Sequence, residues 1–457
     1  MPSPSFSTLR SLAAESGSPA ARFIADEERR TGLDELIGGP DSGERFAGRT
    51  VMVACGRQAP TAAALLRLDG SARRIVLCPP DLAAQHRPFV IAETGTELVV
   101  SEDASADCGL AVVEAEPTGS GASSGRAAEP GPTEWILFTS GTTGRPKMVV
   151  HTLQTLAGHL PTGAPRGGPV TWCTFYDVRR YGGMQILLRA MIGGGSLVLS
   201  AAGEAPGAFM ARAASFGATH FLGTPSHWRR ALMTDEFDRI APDYVRLSGE
   251  PADQTILDRL RARFPRARIV HAFAATETGV AFEIEDGRAG FPASLLEADG
   301  DVALQVRDGS LRVRSTRIGA ALSDGVARPF ANEDGFVDTG DMIERDGDRC
   351  RFAGRREGIV NVGGQKVHPE EIESVINQHP GVAMSLVRSR PNPITGAVVV
   401  AEIVAKGSPA PGREPELSRE VLDLCRRHLP AHKVPATVRV VPSLALAPSG
   451  KLVRLHA

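Results

Sequence analysis

Apolar runs of strand length alternate with stretches of helical spacing through most of this 457-residue chain. A run closing at Cys55 precedes a helical stretch over 59–68, and strand-like runs follow near 73–78 and 96–102. The rhythm resumes at 134 and continues through 196–200, 219–225, 244–251 and 267–273, with helical stretches near 226–233 and 252–264. Strands separated by helices return in the same direction, so the pattern predicts parallel α/β layers with helices over the faces. Aromatic residues are only 5% of the chain, so aliphatic side chains must fill that core. Residues 300–354 switch to short strands with Gly and Asp turns. From 369 a helix led by Pro369, two long strands and a second helix make a closing α+β unit of about 100 residues.

Other features mainly exclude. The first 50 residues are polar and carry no clear period, and 115–133 is a Gly/Ser/Pro/Ala-rich stretch expected to be a flexible loop or linker. Lys and Arg total 51 against 53 Asp and Glu, a net charge of -2, which gives no basic excess for nucleic acid or an anionic membrane. The six cysteines (Cys55, Cys78, Cys108, Cys173, Cys350 and Cys425) form no CxxC pair and have no His cluster beside them. That excludes a sequence-evident zinc site and argues against a disulfide scaffold. The start of the chain lacks a secretory apolar region and no run reaches membrane-spanning length, so a cytoplasmic location is expected.

The strongest chemical signal is the segment from Phe138 through Thr139, Ser140, Gly141, Thr142, Thr143, Gly144, Arg145 and Pro146 to Lys147. Hydroxyls, two glycines and a lysine share one short loop after a strand. Glycines let backbone N–H groups face an anion, hydroxyls donate to its oxygens, and a lysine adds a point charge. The loop therefore reads as a phosphate cradle, and its spacing is not that of the Walker loop.

This string closely resembles the phosphate loop of the adenylate-forming superfamily, which holds acyl-CoA synthetases, peptide-synthetase adenylation domains and luciferases. Met148 stands where that family usually has Gly. Four further motifs follow, with a short adenine-side loop ahead of the first. Phe273, Ala274, Ala275, Thr276 and Glu277 resemble its aromatic-Gly-x-Thr-Glu segment, with Ala274 in place of Gly. By resemblance Phe273 lies near adenine, Thr276 meets the α-phosphate and Glu277 helps to hold Mg²⁺. Ser248, Gly249 and Glu250 resemble the adenine-side loop, where Glu250 is expected to be structural. Asp341 and Arg355 match the ribose site. Glu357 matches the hinge, Gly363 and Gly364 the channel for a pantetheine thiol, and Lys451 the lysine that meets carboxylate and α-phosphate. The resemblance runs from about 134 to the end, and the divergent first 133 residues are shorter than the family's.

The resemblance implies an α/β fold. A large N-terminal domain of α/β subdomains with mixed sheets would span 1–354, and a small mobile α+β domain 358–457. It implies an acid–thiol ligase that uses ATP and Mg²⁺, makes an acyl-AMP, and passes the acyl group to a thiol. CoA is the expected thiol because the chain shows no carrier domain. A phosphopantetheinyl carrier protein, an amino acid substrate and a non-catalytic nucleotide-binding regulator are the alternatives. An amino-acid enzyme would need an Asp near 177–184, and that position falls nearer Tyr181 than Asp177. The acid pocket is expected at Arg179, Arg180 and Tyr181. Asp177 is the candidate partner for Arg180 there, and a short or functionalised acid the expected substrate.

Overall fold

The computed structural model describes residues 7–38, 43–103, 110–114, 132–139, 145–163, 167–393, 395–407, 412–447 and 451–453. Two eight-stranded sheets dominate the N-terminal part. The first runs, edge to edge, through strands Gly279–Ile284, Arg268–Ala275, Tyr244–Ser248, His220–Gly223, Thr171–Thr174, Ser196–Leu199, Phe23–Ala25 and Arg30–Gly32. Its inner pairings are parallel and its two edge pairings antiparallel. The second carries Thr50–Val53, Arg74–Leu77, Leu98–Ser101 and Ala111–Glu114 in parallel with Glu134–Thr139, then turns antiparallel at Lys147–His151. The expected α/β fold with mixed sheets is what the chain forms.

Helix Tyr181–Ile192 explains how the sheets combine. Ten of its twelve residues are buried, so it is apolar nearly all round and sits inside the molecule rather than on it. Its Met184, Leu187, Leu188 and Met191 share one core with Val51, Ile75 and Leu137 of the second sheet and Leu197, Leu222 and Val270 of the first. An interior helix leaves its last carbonyls without water. Arg22, itself buried, donates to the carbonyls of Ala190 and Met191 at 3.0 and 2.7 Å, and to Gly195 and Ala13. A cation at the negative end of the helix dipole also suits the field there.

The N-terminal segment, which offered no period in sequence, thus has a defined place. Helix Leu9–Glu15 begins at Thr8, and the Leu9 N–H donates to Asp69 Oδ2 at 2.7 Å. The same carboxylate takes the Trp135 indole N–H at 3.0 Å. The linker expected at 115–133 lies outside the described residues except for its last two.

A five-stranded antiparallel sheet, from Phe291–Pro292 to Val302–Arg307, accounts for the turn-rich stretch. After the 3₁₀ turn Arg356–Gly358 the chain enters a separate core of Val367, Ile372, Ile376, Val387, Ile403 and Val421. It is built on helices Pro369–Ile376 and Glu414–His428 and strands Val382–Asn392, Gly396–Ala405 and Val438–Val440. Among the described residues no helix is long and apolar enough to cross a membrane.

Candidate active site

The end of strand Tyr244–Ser248, the paired Asp341 and Arg355, and Lys451 meet at one place. Lys451 stands half-buried there, its Cε 3.4 Å from where a Cβ on Gly249 would lie. Gly249 has φ of +87°, a conformation glycine adopts freely, so a side chain here would be both strained and in the lysine's way. Burial, then the nearby Arg355 guanidinium, lowers the Lys451 pKa, while Glu250 and Asp341 pull it back up.

Glu250 joins the two halves of the chain. One carboxylate oxygen accepts from Ser226 N at 3.0 Å, at the start of helix Pro225–Ala231, and the other from Leu452 N at 3.1 Å. The structural role expected for Glu250 is therefore visible as a bridge between the N-terminal part and the lysine loop. Domain contact continues away from the site. Asn377 Nδ2 donates to Asp253 Oδ2 at 3.2 Å and Arg259 donates to the Val382 carbonyl at 3.2 Å.

Asp341 and Arg355 face each other across paired strands, Nε to Oδ1 at 3.0 Å. Thr339 Oγ1 fixes the turn by accepting from Asp341 N at 3.1 Å. Asp341 is buried, and burial pushes its pKa up against the pull of Arg355. Its Oδ2 has no hydrogen-bond partner among the described residues. A buried carboxylate oxygen without a donor is an open seat for a hydroxyl, which is the chemistry a ribose diol supplies.

Thr139 and Lys147 are cross-strand partners, so the phosphate-loop string closes a hairpin between Glu134–Thr139 and Lys147–His151. Lys147 is exposed at its mouth, and Ser140, Gly141, Thr142, Thr143 and Gly144 lie outside the described residues. Arg145 rests over the Phe89 ring at 4.7 Å. Thr276 and Glu277 are half-buried beside this hairpin, at the end of strand Arg268–Ala275. His151 Nε2 lies 2.7 Å from the Thr276 carbonyl, and Gly319 N donates to the Glu277 carbonyl at 3.0 Å. Burial lowers the His151 pKa to about 4, so it is neutral at pH 7. A carbonyl only accepts, so Nε2 carries the proton. Phe273 stacks on Phe352 and Phe282, with centroids 5.2 and 5.7 Å away, as part of a small aromatic core.

No three His, Cys, Asp or Glu residues among those described gather as a metal cage. A Mg²⁺ ion needs less, because it keeps waters and phosphate oxygens and takes one or two carboxylates from protein. No hydrogen bond or ion pair of the Glu277 carboxylate occurs among the described residues, so it fits that limited part.

The acid-side expectations need correction. Asp177 does not pair with Arg180. It holds Arg179, from Nε to Oδ1 at 2.7 Å and from Nη2 to Oδ2 at 2.6 Å. Arg179 also donates to the carbonyls of Cys55 and Gly56 and is wholly buried, so it is turned into the scaffold and away from any acid. Arg180 is instead gripped by Asp81. Arg179 lies in a turn closed by Arg180 N–H donating to the Asp177 carbonyl at 3.0 Å, while Arg180 caps the helix, so the two neighbouring arginines meet different partners. Tyr181 is buried, its ring 5.8 Å from that of His151.

Gly363 and Gly364, with φ of +58° and +86°, form the two-residue turn between strands Val360–Val362 and Gln365–Val367. That is the turn type the strand twist selects, and it accounts for both glycines locally. Glu357 is exposed in the 3₁₀ turn between the two cores.

Comparison with known proteins decides the family. The family described as AMP-binding enzyme matches residues 48–314, over half of the chain, and its C-terminal domain matches 371–451. The chain belongs to the AMP-binding enzyme family. The five segments that resemble the adenylate-forming superfamily thus lie in a chain of this family. The mitochondrial acyl-coenzyme A synthetase ACSM4 of Rattus norvegicus is 27% identical over 70% of this chain and 59% of its own length. The 2-succinylbenzoate–CoA ligase of Listeria monocytogenes is 26% identical over 70% of this chain and 68% of its own. The chain thus spans about three fifths of the rat relative. Among solved structures, the anthranilate CoA ligase AuaEII in complex with anthranoyl-AMP superposes with a TM-score of 0.80 at 16% identity, covering 98% of this chain and 96% of that one.

Within this AMP-binding enzyme, sequence reasoning missed His151, which props the Thr276 turn, and Asp81, which holds Arg180. Neither lies in a motif. A buried His closing an apolar strand was a usable signal; a lone surface Asp was not.

Proposed function

We propose that this chain is an acid–thiol ligase that forms an acyl-AMP and then a thioester, with CoA as the thiol. The observation that carries the reading is the seat of Lys451, brought from the last loop into contact with Gly249 and within the field of Asp341, Arg355 and Glu250. In the first half-reaction a carboxylate oxygen attacks the α-phosphorus of ATP, the bond to the β-phosphate oxygen breaks, and pyrophosphate leaves. Lys451 balances the negative charge gathering between carboxylate and α-phosphate, and the Thr139–Lys147 hairpin holds the outgoing phosphates. Asp341 takes the ribose hydroxyls, and Thr276 is held toward the α-phosphate by His151. When bound, Mg²⁺ at Glu277 neutralises phosphate charge. In the second half-reaction the thiol loses its proton, its sulfur attacks the acyl carbonyl, and AMP leaves. Before that attack, rotation about Glu357 presents the Gly363–Gly364 turn to the acyl-AMP. The CoA-ligase names of relatives support CoA over a carrier protein.

The test is ATP–pyrophosphate exchange over a panel of carboxylic acids, followed by thioester assay with CoA. Acid-dependent exchange and acid-dependent CoA thioester are expected. Exchange without thioester would move the acceptor to a carrier protein, and no exchange with any acid would overturn the reading.

A further inference from the structure

A second charged cluster lies behind the site, and none of the motifs touches it. Helix Tyr181–Ile192 is apolar apart from a few positions, one of which is Arg189. Strand Tyr244–Ser248 is buried yet carries Arg246, only 4% exposed. Both guanidinium groups converge on Glu283, Arg189 Nη2 at 2.9 Å and Arg246 through Nη1 to the same Oε1. Arg317 joins them. It donates to the Val280 carbonyl, and its Cβ fills the space over Gly279, 2.6 Å from where a Cβ would stand. His159 completes the group.

The charges do not balance. Two guanidinium groups share the one carboxylate of Glu283, and the third, Arg317, has only a backbone carbonyl as its partner among the described residues. Arg189 Nε, Arg317 Nε and both ring nitrogens of His159 are buried with no hydrogen-bond partner there. Burial, then Arg317 and Arg189, lowers the His159 pKa to about 4, so the imidazole has already given up its charge. Arginine has no such escape. Excess buried guanidinium groups with unfilled donors cost stability, unless an anion completes them. The cluster is not sealed, since Glu283 and Arg189 keep 29% and 17% side-chain exposure, so a ligand can reach it.

Its position relates it to the reaction. Arg246 lies two residues before Ser248, whose carbonyl accepts the Tyr176 hydroxyl at 2.8 Å, and Ser248 adjoins the Gly249 that meets Lys451. Arg317 covers Gly279, three residues beyond Thr276. Arg189 is two turns, about 12 Å, along the helix from Tyr181. The cluster is thus set back from the reacting end by the length of a small molecule.

Resting on the ligase reading above, we propose that the acid carries a second anionic group, a carboxylate, at its far end, and that Arg246, Arg317 and Arg189 receive it. Planar guanidinium groups bind carboxylates in a two-pronged fashion, and the unfilled N–H donors supply that geometry.

Exchange is measured with matched acids: propionate against succinate, butyrate against glutarate, and benzoate against isophthalate and terephthalate. In the wild type at least one diacid should exceed its monoacid partner in kcat/KM by about tenfold or more. Arg246→Gln should raise the diacid KM by about 10- to 100-fold and leave the monoacid KM within about threefold. Arg317→Met should act in the same direction. Monoacids that match or surpass every diacid in the wild type would overturn the proposal, as would equal losses for both classes in a folded Arg246→Gln. Calorimetric titration of each diacid without ATP separates this from the ligase reading. If no acid drives exchange, that reading fails, yet diacid binding that Arg246→Gln abolishes would still uphold the anion site. Absence of diacid binding together with absence of exchange would overturn both.

Discussion

The nucleotide side and the acid side of the cleft are built differently. Asp341, Arg355, Thr276, Glu277 and Lys451 each sit in a short contiguous segment, Asp341 inside strand Val337–Asp346 and Arg355 at the end of its neighbour. Arg189, Arg246, Glu283 and Arg317 come one apiece from a helix, two strands and a loop, each among residues that serve the core. Phosphates and ribose are bound by backbone and turn chemistry, which needs a local string. A far-end group of an acid is met by single side chains that can be exchanged without altering the scaffold.

The comparison breaks first at Arg179, an acid-side arginine by sequence that the structure assigns to the scaffold. Arg179→Leu strands Asp177 and frees two carbonyls, and losing one partner of a buried pair costs about 3–5 kcal/mol. A lowered urea midpoint with an unchanged ranking of acids is expected. A changed ranking with normal stability would return Arg179 to the pocket.

Lys451→Ala tests the nucleotide side. Acyl-AMP formation should fall by about 10²–10³, the usual effect of removing one charge stabiliser. Thioester formation from supplied acyl-AMP should persist, because Lys451 serves the first half-reaction alone. Stopped-flow measurement of each half would show it, and equal losses in both would argue for misfolding.

Asp341→Asn has the smallest net effect and the most informative sign. Burial raises the folded pKa of Asp341, so the folded state holds its proton to higher pH than the unfolded state does. Its contribution to stability therefore falls as pH rises from the ordinary Asp value through the folded one. Asn removes that loss, so Tm at pH 8 should rise by about 2–4 °C for each kcal/mol relieved, with no gain at pH 3. ATP affinity should drop by about tenfold or more as a charge-assisted bond to ribose is lost. Equal Tm shifts at both pH values would refute the burial argument.

The same contrast explains what was legible in the sequence. The strand–helix rhythm gave the sheets, because apolar periodicity reports burial directly, and the five segments gave the family. The first 50 residues gave nothing, since Phe23–Ala25 is a three-residue strand and Arg22 acts through carbonyls at 190–195 that no local pattern reveals. The Asp177–Arg180 pair was misread, because the turn at 178–179 gives Asp177 to Arg179 instead. Better signals were present as Arg189 in an apolar helix and Arg246 in an apolar strand, where a charge must be answered by something.

Glu250 has a consequence for how the lysine loop comes and goes. Half of its bonding lies within the N-terminal part, because Ser226 N belongs to the first turn of helix Pro225–Ala231. The other half, Leu452 N, belongs to the visitor. In the proposed cycle the loop withdraws, and the Ser226 N–H then keeps the carboxylate aimed as a socket shaped for return. Docking therefore begins from an ordered surface, and the entropy of arranging the site is spent once, at folding, and not again in each catalytic cycle.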